Sequence, residues 1–380
     1  MDHSATTPVD PLVVDAMLPF FTETFGNASS LHSFGTEAAE ALSKARKQIA
    51  YAIGALPEEI IFTSGGTESD NLAIRGVVPF NARKKHIITS VVEHPAVLNT
   101  CASLESLGHE VTYLPVDADG VVDAGKLEAS IKENTVLISI MHANNEVGTI
   151  QPIEKLSWIA KEHDLYFHTD AVQSVGKIPV NVDDLGVDML SISSHKIHGP
   201  KGVGALYIRK GTNISPIVFG GNHEKGMRSG TENVSGIVGF ARAMEIAIER
   251  LETDSGHMNK MRDSLISRVF DTIPDVRLNG HPSARLPNNV NVSFKYVEGE
   301  SMLMMLDMQG VAVSTGSACS SKSLKASHVL SSLKIEDDFI HGSLRISLGR
   351  ENTMEDIDYV VNALQETIAK LRAMSPLAGK

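Results

Sequence analysis

A chain of 380 residues exceeds the size at which one core usually keeps growing, so two domains, or one large domain with an appendage, are expected. With 42% hydrophobic and 21% charged residues it has the composition of a soluble globular protein, and no apolar run approaches the ~18 residues of a membrane span. A net charge of −12 without any Lys/Arg-rich block gives no electrostatic case for nucleic acid or an anionic membrane, which leaves small molecules and proteins as partners.

The N-terminus, MDHSATTPVDP, has neither a basic region nor an apolar stretch and does not read as a signal peptide. Two cysteines far apart, Cys101 and Cys319, make no disulfide framework, and a reducing cytoplasm is the expected compartment. Leu42, Ala45, Ile49 and Ala52 recur at spacings of three and four, which predicts a helix with one buried stripe. From residue 58 to about 210, short β-rich runs alternate with helical patterns: EEIIFTS, KHIITSVVEH, HEVTYLPVD, TVLISIMHANNE, LYFHTDAVQ, VDMLSISSHK and GVGALYIRK. Strands of near-continuous Ile, Val and Leu with helices between them imply a mostly parallel sheet covered on both faces. The stretch from Gly236 to Ile273 reads as one long helical region. After it VRLNGH, NNVNVSFKY, GVAVSTGS and SLRISLGR predict short strands of a smaller α+β unit. The expected division is a large α/β domain over 11–252 and a small one over 253–380 that takes in residues 1–10.

In open α/β sheets a ligand lies beyond the carboxyl ends of the strands, so the polar residues there are the candidates. Thr67 follows Gly65 and Gly66 and opens a helix, with Asp70 three residues on in the manner of a capping box, and free N–H groups there suit a phosphate; an ordinary N-cap is the plain alternative. No dinucleotide or nucleoside-triphosphate fingerprint occurs. Asp170 ends an apolar strand, and the next strand end offers Ser193, His195 and Lys196. An Asp170–Lys196 ion pair would account for two of these residues. Pyridoxal phosphate accounts for all of them, with Lys196 as the Schiff-base lysine, Asp170 on the pyridinium nitrogen, and Thr67, Ser193 and His195 on the phosphate. Cys319 lies in STGSACSSKS, a run of small polar residues unlike the setting of a buried structural thiol.

Ten motifs in order, DHSATTP, FTSGGTESDN, VEHPAV, HANNEVGTIQP, HTDAVQSVGK, SSHKIHGPKGVG, RSGTENV, LPNNVN, STGSACSS and LRISLGR, give the chain a nearly end-to-end resemblance to the cysteine desulfurases of the NifS/IscS type. These are class V aminotransferase-like, pyridoxal-phosphate-dependent enzymes of iron–sulfur cluster assembly. The resemblance implies the aspartate aminotransferase-like fold of pyridoxal-phosphate transferases and a reaction that takes L-cysteine to L-alanine with a persulfide left on Cys319. It makes Lys196 the cofactor lysine, stacks His94 on the ring, and puts Gln173 and Asn145 round the phenolic oxygen and substrate side. Gly66, Thr67, Ser193 and His195 hold the phosphate, and Arg345 binds the substrate carboxylate. Thr231 completes the phosphate shell from a second subunit, so a homodimer is implied, and an iron–sulfur scaffold or other sulfur acceptor is the expected protein partner.

Taken alone, His94 reads equally as a core histidine and Arg345 as the partner of a surface acid, while Cys101, in HPAVLNTCASLESLG, reads as a small buried residue. His32, His198 and His328 stay unassigned. Ala28 stands where the family often has proline. The chain starts inside the family's usual first strand, which suggests a shortened or late start, and it ends at LRAMSPLAGK, short of the tail some relatives use for scaffold docking. A selenocysteine lyase or aminotransferase with the same cofactor site is the nearest alternative. A metal carrier built on Cys319, His328 and His341 lacks the usual four ligands, although transient iron–sulfur ligation by Cys319, shared with a scaffold, stays open.

Overall fold

The computed structural model describes residues 1–78, 85–315 and 327–375. Seven strands form the main sheet: β1 (Ile60–Thr63), β2 (His86–Ser90), β3 (Glu110–Leu114), β4 (Thr135–Ser139), β5 (Tyr166–Asp170), β6 (Met189–Ser193) and β7 (Gly204–Ile208). Their spatial order is β1-β7-β6-β5-β4-β2-β3, and β7 alone runs against its neighbours. β1, β2 and β6 are buried along their whole length because helices cover both faces, as their unbroken apolar runs imply. The helix Ser33–Ala52 buries Ala38, Leu42, Ala45 and Ile49, packing chiefly on the helix Val234–Glu249, with Ala52 at the margin of the same stripe.

A smaller antiparallel sheet follows, of β8 (Val276–Leu278), β9 (Asn289–Phe294) and β10 (Ser343–Ser347), in the order β10-β9-β8. It has a core of its own, formed by Val290, Val292 and Phe294 with Leu265, Val269, Leu306 and Leu364.

Two local expectations are corrected. The stretch from Gly236 to Ile273 is not one helix: Val234–Glu249 and Leu251–Thr272 are separated at Arg250. The first buries Phe240 and Met244 in the main core and the second buries Leu265 and Val269 in the small one, so the chain turns where its stripe changes partner. GVAVSTGS is no strand in its described part. Only Ser314 pairs with β10, at Arg345, because Asp2 and His3 occupy the rest of that edge at Ser347.

Candidate active site

The carboxyl ends of β1, β2, β4, β5 and β6 open on one cavity of about 300 Å³, lined by Gly66, Thr67, His94, Asn145, Asp170 and Lys196 among others. At the end of β1 the chain makes a tight turn into the helix Gly66–Val77. Gly65 sits at φ +150°, and a Cβ on Gly204 of β7 would lie 2.7 Å from its Cα, so both positions need glycine. The helix starts at Gly66, two positions earlier than a Thr67 cap would place it, with no side-chain cap on its first turn. Its N–H groups therefore face the cavity with the partial positive charge of a helix start, a ready anion site. Ser193 and His195 line the same end, and the His195 Nδ1 lies 3.1 Å from the Thr6 hydroxyl.

Asp70 does not cap the helix. It is buried, its Oδ1 has no hydrogen-bond partner, and burial followed by the charges of Asp170 and Glu93 pushes its carboxyl well above the ordinary range. Asp170 is buried as well. Burial raises it, while the His94 ring, a 2.9 Å bond from the Val172 N–H and the Lys196 amine draw it back. Of the two carboxyls, Asp170 is the one whose charged form the Val172 N–H and the Lys196 amine favour.

His94 ends the β2 turn as N-cap of the helix Pro95–Ser106, its Nδ1 accepting from the Ala96 N–H at 3.1 Å. Burial lowers its pKa against the pull of Asp170, so the ring presents a neutral, Nε2-protonated imidazole. Lys196 Nζ donates to the carbonyls of Ser4, at 2.5 Å, and Ala5, at 2.8 Å. Gln173 Nε2 donates to the same Ser4 carbonyl at 3.0 Å, and its Oε1 is left buried without a partner. Arg345 is 2% exposed rather than a surface residue; it donates to Asp2 and to the Asn145 carbonyl, both at 3.0 Å. An anion site, a buried carboxylate, a lysine and an orphaned amide oxygen round one cavity fit pyridoxal phosphate, which would be held by the helix start, Asp170, Lys196 and His94.

The cavity thus gathers every expected site residue except two. Thr231 is exposed and lies outside its lining, and Cys319 falls outside the described residues. Cys101 is buried, and burial pushes its thiol up to about 12, which suits a packing role. His32 caps the helix Ser33–Ala52, and the His328 Nε2 donates to the Glu93 carbonyl at 3.0 Å.

Sequence reasoning missed Glu93, whose neighbour drew the attention. It is 1% exposed, accepts from the Met141 N–H on both oxygens at 3.0 Å and from the Ser90 hydroxyl, and so ties the end of β2 to the end of β4. Burial pushes its carboxyl up to about 8. A folded pKa above the unfolded value means stability that is complete below about pH 4 and declines as pH rises toward 8, by roughly 1 kcal/mol per pH unit. Glu93→Gln keeps the shape of the protonated acid without its titration. The variant should therefore gain on the parent between about pH 5 and pH 8 in urea midpoint, and equal differences at both ends would show that Glu93 is ionised throughout.

The Aminotransferase class-V family matches residues 1–360. The cysteine desulfurase IscS of Dictyoglomus turgidum is 58% identical over 99% of this chain and 96% of its own length. Among solved structures, a NifS-like protein superposes with a TM-score of 0.91 at 43% identity, covering 97% of this chain and 98% of its own. SspA in complex with cysteine gives 0.82 at 38% identity, covering 93% and 99%. A match along the whole length, with the strand ends converging on a cavity suited to pyridoxal phosphate, places this chain among the aminotransferase class-V proteins, in their IscS/NifS branch of pyridoxal-phosphate-dependent cysteine desulfurases.

Proposed function

We propose that this chain takes L-cysteine to L-alanine and passes the sulfur to the Cys319 thiol, with the cavity residues in the roles that follow. The observation that carries the reading is the convergence of Lys196, Asp170, the start of the helix Gly66–Val77 and Arg345 on one cavity. When bound, pyridoxal phosphate supplies an electron sink that stabilises negative charge at the substrate Cα. Arg345 receives the substrate carboxylate and Asn145 lies beside it. Lys196, once its amine is free, takes the Cα proton on Nζ, and the Ser4 and Ala5 carbonyls steady the ammonium that results. Asp170 would hold the proton of the cofactor's ring nitrogen, and His94 would pack against the ring. The Cys319 thiolate attacks the substrate sulfur; the new S–S bond forms as the Cβ–S bond breaks, and the electron pair left on Cβ takes a proton to give alanine.

The Cys319 role is supported by what flanks it. Ser314 and Ser327, which flank it in sequence, are both tied to residues of the site. The Ser314 N–H donates to the Arg345 carbonyl at 3.1 Å, and the Ser327 hydroxyl donates to the buried Glu146 carboxylate, next to Asn145. The homodimer is supported by the exposed apolar side chains of Leu18, Phe21, Phe25, Leu31 and Phe34, and by Phe219 and Thr231 exposed on the loop that would reach across. A sedimentation mass of two chains is expected, and a monomer would overturn it. No helix among the described residues is long and apolar enough to cross a membrane.

Product analysis tests the whole reading. Incubation of the holoenzyme with L-cysteine and a reducing thiol should yield alanine and sulfide in equal amounts; pyruvate and ammonia in place of alanine would make the chain a lyase of another kind.

A further inference from the structure

We infer that Asp2 is a positioning residue for L-cysteine, holding the Arg345 guanidinium so that it can receive the substrate carboxylate. The inference rests on the reading of Arg345 as the carboxylate site. Arg345 stands in the middle of β10, is 2% exposed, and lines the cavity. A guanidinium buried this deeply needs a counter-charge, and Asp2 supplies one through its Oδ1, 3.0 Å from the terminal nitrogen. The other terminal nitrogen is set by the Asn145 carbonyl at 3.0 Å, while the Nε–H is buried without a partner. Two fixed bonds orient the planar fork and leave further N–H groups for a carboxylate.

Asp2 is itself braced. Its Oδ2 accepts from the Ser314 hydroxyl at 2.9 Å, and Ser314 pairs with Arg345 through both backbone bonds, at 2.7 and 3.1 Å. The His3 N–H bonds the Ser347 carbonyl, and the Ser347 N–H bonds the Met1 carbonyl, so the first residues run as an extra segment along β10. The N-terminal segment thus does two things at the cavity: its carbonyls at Ser4 and Ala5 hold the lysine, and its carboxylate at Asp2 sets the arginine.

Orientation rather than competition decides the sign. Removing Asp2 leaves a buried cation with one backbone acceptor and free rotamers, which costs more than the lost repulsion between two carboxylates returns. The test uses two ligands of the holoenzyme that differ at the carboxylate alone, L-alanine and L-alaninamide, titrated by the change in cofactor absorption. Arg345→Ala should erase the preference for L-alanine; if the preference survives, the Arg345 reading fails, whatever Asp2 does. With that preference shown to depend on Arg345, Asp2→Asn should weaken L-alanine about tenfold and leave L-alaninamide unchanged. Equal loss for both ligands, no loss, or tighter L-alanine binding overturns the inference, the last by making Asp2 a competitor. Ser314→Ala removes only the brace and serves if Asp2→Asn does not load cofactor. A selective loss of about threefold is expected from it, and a loss shared by both ligands overturns the inference as well.

Discussion

Lys196→Ala is expected to lower alanine formation from L-cysteine by at least ~10³-fold while the protein still folds and holds the cofactor noncovalently. Among the described residues no other lysine lines the cavity. Lys177 is buried, donates to the Gln173 carbonyl at 3.0 Å, is drawn down to about 7 by burial, and is not part of the cavity lining. The anchoring groups that remain, the helix start at Gly66 and the carboxylate of Asp170, do not depend on the lysine. Retained turnover would sink the mechanism. The same variant tests the dimer in a finer way than sedimentation does. A hybrid with a Thr231→Ala subunit has one site in which both residues are intact, if Thr231 serves the neighbouring subunit's site, and it should recover up to half of a native dimer's activity. A hybrid no better than its parents would return Thr231 to its own chain.

Cys319→Ser is expected to keep the cofactor and still bind L-cysteine, as a shift in cofactor absorption, yet to lose alanine and sulfide together. A hydroxyl cannot take the sulfur: the acceptor must be a nucleophilic thiolate that leaves with an S–S bond. Cys101→Ser should change neither, because Cys101 is 0% exposed and its thiol is held protonated. Mass spectrometry after exposure to L-cysteine should find one extra sulfur on Cys319, and its appearance on Cys101 would overturn the assignment. Radiolabelled sulfur from L-cysteine should then pass to a cysteine-bearing iron–sulfur scaffold from the parent protein and not from the Cys319→Ser variant; transfer without Cys319 would break the proposed route.

The strands of the main sheet were legible because burial on both faces demands unbroken apolar runs, and the polar residues that end those runs marked the site. Local periodicity could not register the break at Arg250, since both halves keep a helical spacing and only the choice between two cores separates them. Nor could it show that the GVAVSTGS segment shares the β10 edge with the N-terminus, because edge pairing is decided by which segment reaches β10 first along its length.

At the site, the residues that act through their type were readable: a lysine and an aspartate at neighbouring strand ends, a Gly-Gly-Thr turn before a helix, a cysteine among serines. The residues that act through position were not. Glu93 drew no reading of its own, and only the ends of β2 and β4 that enclose it give it a role. Asp70 looked like a cap until the helix began at Gly66. Asp2 is one acid among 46 acidic residues, and nothing in its neighbours points to an arginine 343 positions away. Chemistry that a side chain carries by itself can be read along the chain, whereas the counter-charges and carbonyls that set its protonation and direction come from segments brought together only by folding.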